Sequence, residues 1–111
     1  MSFERDLMPF MRSREGYTGC GAMGCHDAKE PLPPFFSPED AFGNWQALVT
    51  YRDATGRAYV VPCKETAADG YMACNLRYDP TCGKPMPMGH KMKPAELALF
   101  DTWLGCGAPF N

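Results

Sequence analysis

Apolar residues recur at helical spacing in three stretches of the chain, each bounded by start and stop signals. In the first, Asp6 reads as an N-cap and Pro9 falls in the first turn, where its missing N–H is harmless. That predicts a helix starting at Leu7 rather than at Phe3 and stopping at Gly16. In the second, Ser37 caps, Pro38 takes the first helical position, and Glu39 and Asp40 lie in the first turn. Phe42, Trp45 and Val49 then share one face, with Ala41 and Leu48 beside it, and the helix ends at Val49. The third runs from Pro94 to Leu104, with Glu96 at the third position and Gly105 placed for a left-handed cap. Its buried stripe is Leu97, Phe100, Trp103 and Leu104.

Elsewhere the pattern breaks. A turn signal over 51–56 followed by an extended segment that Pro62 ends predicts at most one small β-hairpin. From Cys63 to Met92 there is no clean period, and Gly70, Pro80, Gly83, Pro85, Pro87 and Gly89 predict ordered loop with one weak helical turn near 71–76. Eleven Gly and eleven Pro among 111 residues require much turn and loop, so the fold class is mainly α with short helices and long ordered loops. The length predicts one domain, residues 1–111.

Charge narrows the partners. A net charge of −2 gives no overall basic field, which argues against nucleic acid. No apolar run approaches the roughly 18 residues that span a bilayer, so no transmembrane segment is expected. No basic-then-apolar leader opens the chain, so either a signal has been removed or this is a piece of a longer exported chain. Six Cys in a loop-rich chain of this size point to an oxidising compartment and covalent reinforcement.

Candidate chemistry concentrates in Cys20-Gly-Ala-Met-Gly-Cys25-His26. Covalent c-type haem needs two thiols to add across the vinyl groups and then a His to ligate the iron, usually spaced C-x-x-C-H. Here the spacing is C-x4-C-H, and Gly19, Gly21 and Gly24 supply backbone freedom for the two extra residues. A Cys pair with an adjacent His also fits zinc, for which the chain holds six Cys and two His. A second signal stands some sixty residues on. Gly83-Lys-Pro-Met86-Pro-Met88-Gly offers thioethers on a Pro-stiffened loop, suited to the sixth position of a low-spin haem.

In this order the chain resembles the small bacterial class I monohaem cytochrome c domains: a short helix entering a Cys-Cys-His motif, a Cys-Gly-x-x-Met-Pro loop, then a helix with a late Trp and a Gly-x-Gly-Ala ending. The resemblance covers most of residues 6–109, more loosely over 51–80. It implies a mainly α fold of three or more short helices around one covalent haem c. Cys20 and Cys25 would be the attachment points, His26 the proximal ligand and Met86 the distal one. Met88, Met92 and His90 compete for the distal position; Met86 is ranked first because Pro85 and Pro87 stiffen the chain on both sides of it. The implied function is single-electron transfer in the periplasm or outside the cell, as a free carrier or a subunit of a larger redox complex, without enzymatic turnover.

Around that centre, Phe10, Trp45, Leu97 and Phe100 are expected to form an apolar wall, and Met8, Met11 and Met72 to fill core gaps. Lys84, Lys91 and Lys93 flank the ligand loop with no acid between Cys82 and Ala95, a patch that would steer acidic redox partners. The four remaining Cys allow three pairings; Cys63 with Cys74 and Cys82 with Cys106 are favoured because each would brace a segment short of hydrogen-bonded structure. Two other readings stay open: a haem peroxidase with a vacant sixth position and His90 as distal acid–base group, and a zinc-bound or disulfide-stapled interaction module.

Overall fold

The computed structural model describes residues 1–22, 25–27 and 33–111. The chain opens in a π-helical turn, Phe3–Leu7, that runs directly into α1, Met8–Met11. The start therefore lies at Phe3, four residues before the expected one, and the end lies at Met11 rather than Gly16. Ser2, not Asp6, is the N-cap: its hydroxyl accepts from the Arg5 N–H at 3.2 Å, while the Asp6 carboxylate accepts from the Ser2 N–H at 2.7 Å. The Arg5 guanidinium and that N–H hold the Asp6 carboxyl down at about 2. Pro9 is accommodated because the wider turn, closed by the Met8 N–H on the Phe3 carbonyl, changes the hydrogen-bond register just before the residue that lacks a donor. The early start buries Phe3 and Leu7 completely.

α2, Ala41–Thr50, is capped by Asp40, whose carboxylate accepts from the Gly43 N–H at 2.8 Å; Ser37 and Pro38 precede the helix instead of opening it. Its inward face is also rotated from the expected one. Leu48 and Asn44 are buried, Trp45 and Val49 are half-buried, and Phe42 is 49% exposed. The polar Asn44 can face inward because its carboxamide donates to the Ser37 carbonyl at 2.6 Å and accepts from the Ser37 N–H at 2.7 Å. Side-chain polarity is then satisfied locally, and an apolar count along the helix misses the face.

The hairpin expected over 51–62 is reduced to a single bridge, Arg52 with Ala58, around a turn in which Asp53 accepts from Thr55 and Arg57. α3, Met72–Leu76, is the short helix anticipated there, and a 3-10 turn, Pro80–Cys82, follows it. α4, Pro94–Gly105, extends one residue beyond expectation. Gly105 stays helical, and Gly107 and Ala108 take the left-handed conformations, with φ of 85° and 51°. Glu96 closes the start of α4 by accepting from the Lys93 N–H at 2.8 Å.

The architecture is mainly helical, and no sheet occurs among the described residues. The π-helical turn packs on α2 and α4, and α3 packs on α4. Trp103 meets Phe3 at 5.4 Å and Phe100 meets Phe10 at 5.1 Å, so these two residues of the α4 stripe pack on the first helical segment. Met8, Met11 and Met72 are buried in this core. Both indoles hold the C-terminal turn: Trp45 Nε1 donates to the Ala108 carbonyl and Trp103 Nε1 to that of Pro109, each at 2.9 Å.

One disulfide joins Cys74 at α3 to Cys82 in the 3-10 turn. This overturns both expected pairs, Cys63 with Cys74 and Cys82 with Cys106. Loop length alone cannot reveal the reversal that decides it: the Arg77 and Asp79 N–H groups both return to the Cys74 carbonyl, and Cys82 N–H bonds Asp79. The short loop so closed stabilises by about 2.5 kcal/mol in the chain-entropy treatment.

Candidate haem site

Two backbone hydrogen bonds fix the Cys20 turn against the exit of α1, from Cys20 N–H to the Phe10 carbonyl at 2.9 Å and from Gly21 N–H to that of Met11 at 3.0 Å. Gly19 serves close approach rather than a loose bulge, since a Cβ there would stand 2.3 Å from the Arg12 carbonyl carbon. Gly24, the third glycine of that expectation, lies outside the described residues. The turn then folds back on itself: Cys25 N–H bonds the Ala22 carbonyl and His26 N–H bonds the Cys20 carbonyl, at 2.9 and 3.1 Å. The His26 carbonyl accepts from Phe36 N–H at 2.6 Å, and the two rings lie 5.5 Å apart. Cys20, Cys25 and His26 thus share one closed turn. Burial pushes the Cys20 thiol up to about 11, whereas Cys25 is exposed.

The second half of the site is the loop from Gly83 to His90. Two residues unremarked in the sequence hold it. Asn75, buried at 4% exposure, donates to the carbonyls of Cys82 at 2.9 Å and Lys84 at 2.7 Å, and accepts from the Tyr59 hydroxyl at 3.0 Å. The Tyr78 hydroxyl donates to the carbonyls of Pro87 and, at 2.7 Å, His90. Their only sequence signal is a polar residue inside a short helix and a Tyr beside the disulfide loop; neither type in that setting announces a brace for the Gly83–His90 loop.

Four side chains were candidates for the distal position, and they differ in setting. Met92 is buried and belongs to the hydrophobic core, and Met88 is 59% exposed. Met86 is half-buried against the core. His90 is half-buried, its ring lies 5.4 Å from Tyr17, and its Nε2 is buried with no hydrogen-bond partner among the described residues.

A ring contact connects the halves. Tyr17, three residues before Cys20, touches both His90 and Phe10, and its hydroxyl is pushed up by burial first and by the Cys20 charge second. Tyr59 is likewise raised, again by burial and then Cys20, and it reaches the Gly83–His90 loop through Asn75. Of the expected apolar wall, Phe10 and Phe100 are buried and Trp45 and Leu97 half-buried. A groove of about 370 Å³ runs between the α1 exit and Pro38–Glu39, but neither His26 nor Met86 lines it.

Zinc needs four protein ligands in a structural site, and among the described residues no three His, Cys, Asp or Glu side chains gather as a metal site requires. A porphyrin brings four nitrogens of its own and asks the chain for one or two axial ligands, chemistry that His26, Met86 and the unpartnered Nε2 of His90 can supply. Comparison of the chain with protein-family models, curated proteins and solved structures found no match.

Proposed function

We propose that this protein is a single-electron carrier of the class I cytochrome c type, holding one covalent haem c through Cys20 and Cys25, with His26 as proximal and Met86 as distal ligand. The observation that carries this reading is the ring contact of Tyr17, three residues before Cys20, with His90, which brings the chain entering the Cys-Cys-His motif against the Gly83–His90 loop. When bound, the haem supplies a one-electron ferric–ferrous couple, and no substrate is transformed.

The chain's contribution is to attach, orient and desolvate. Cys20, half-buried, and Cys25, exposed, would provide the two thioether links, and the turn presents His26 immediately after them. Asn75 and Tyr78 fix the loop that carries Met86, so little chain entropy remains to be lost on ligation. A thioether ligand and an apolar wall both favour the less charged reduced state and raise the potential. The Cys74–Cys82 disulfide and the export that haem c attachment requires together favour the periplasm or the cell exterior. Acid-acetone extraction of the purified coloured protein tests the attachment. Colour should stay with the protein, and its passage into the organic layer would defeat the proposal.

The buried, unpartnered Nε2 of His90 favours a second reading, in which His90 replaces Met86 and the haem is bis-His with a lower potential. The two readings share the fold and the attachment and differ in one ligand.

Lys84, Lys91 and Lys93 are exposed on and just after the ligand loop, with the Lys91 ammonium 5.5 Å from the Tyr78 ring centre. In this reading they steer an acidic redox partner. Electron-transfer rates with such a partner should fall on the order of tenfold between low and physiological salt, and the Lys84→Gln/Lys91→Gln/Lys93→Gln variant should lose most of that dependence. Salt-independent rates in the parent would remove the docking role.

A further inference from the structure

Cys63 and Cys106 stand apart from both the haem turn and the Cys74–Cys82 loop, yet the fold brings their segments into backbone contact. The Cys63 N–H donates to the Gly107 carbonyl at 2.9 Å, and a Cβ built on Gly107 would lie 3.4 Å from the Cys63 Cα. Cys106 is one peptide step away, about 3.8 Å between Cα atoms, which brings it within reach of the roughly 4.4–6.8 Å Cα separation that a disulfide spans. Both side chains are exposed, so their χ1 rotamers can change without disturbing the core.

Two further observations mark the contact as built. Cys63 takes the left-handed region, φ 65°, which disfavours any residue with a Cβ, and Ala108 does the same two residues beyond Cys106. The turn that Cys63 meets also carries the acceptors for both tryptophans, at Ala108 and Pro109.

We propose that Cys63 and Cys106 form a second disulfide, which latches the segment after Val60 onto the C-terminal turn beneath the two indoles. The oxidant is a small-molecule or protein disulfide, for which glutathione disulfide serves as the probe. One Cys thiolate attacks it, forming a mixed disulfide and releasing one glutathione thiol. The other Cys thiolate then displaces the second glutathione. Two S–H bonds and one S–S bond are lost, one S–S bond forms in the protein, and the two electrons and two protons leave as two glutathione thiols. The pairing does not depend on the haem reading, because it uses neither Cys20 nor Cys25.

The test equilibrates the full-length protein with glutathione disulfide, blocks remaining thiols, digests without reduction and maps the linked peptides. The expected result is one cross-linked product containing Cys63 and Cys106, abolished by dithiothreitol. In Cys106→Ser, Cys63 should instead carry one glutathione. Separate glutathione adducts on Cys63 and Cys106 in the parent, or a link from Cys63 to Cys20 or Cys74, would overturn the proposal. Because the map is read on coloured or colourless protein alike, a failure of haem attachment and a failure of this pairing are distinguishable.

Discussion

Replacement of Asn75 by alanine is expected to lower the unfolding free energy by about 3 kcal/mol, seen as a reduced urea midpoint at unchanged slope. The effect is large because one carboxamide serves three partners. Its loss leaves the carbonyls of Cys82 and Lys84 and the Tyr59 hydroxyl short of a bond in a buried setting, and it leaves a small cavity. Asn75→Asp should be at least as damaging: the carboxylate can still accept from Tyr59 but cannot donate to either carbonyl, and it places a charge in the interior. A double-mutant cycle with Tyr59→Phe separates the Tyr59 bond from the loop bonds. A cost below about 1 kcal/mol for Asn75→Ala would mean that the loop is held by its disulfide and by Tyr78 alone.

In the loaded protein, Met86→Ala is expected to have the largest functional effect. By the family resemblance it should abolish the weak band that Met ligation gives at the red end of the visible spectrum, open the iron to carbon monoxide, and lower the reduction potential. The direction of the last follows from the preference of a thioether for the reduced metal. The same variant separates the two ligand readings. If band and potential survive Met86→Ala and are removed by Met88→Ala or Met92→Ala, another thioether is the ligand; if the parent lacks the band and only His90→Ala shifts the spectrum, the haem is bis-His and the redox partners lie at the more reducing end of a respiratory chain. Neither substitution enters the main core, where Met92 and Phe100 sit, so the fold should persist in both variants.

The two experiments bear on one piece of chain from opposite ends. Asn75 and Tyr78 determine where the loop runs, and Met86 and His90 are what it presents. Asn75→Ala is therefore also expected to broaden or weaken the Met86 signature in loaded protein, because a freed loop samples more conformers.

By itself the sequence determined the helical character of the fold, the α4 stripe and the three core methionines. Each rests on local periodicity or apolar character, which a linear chain displays directly. It also displayed the Cys20, Cys25 and His26 motif and the Met86 loop, because residue types at short spacing need no three-dimensional knowledge to be noticed. Tertiary structure decided the rest. The first helix moved to Phe3 because a wider turn absorbed Pro9, and α2 turned Asn44 inward because the Ser37 backbone satisfied its carboxamide. Cys74 found Cys82 through a chain reversal that loop-length arithmetic does not contain. Asn75, Tyr78, Tyr17 and Tyr59 acquired their roles only when separate segments met, from 7 residues apart for Asn75 and Cys82 to the far larger separation of Tyr17 and His90. A buried hydrogen bond or ring contact belongs to a pair, and the sequence shows each member alone.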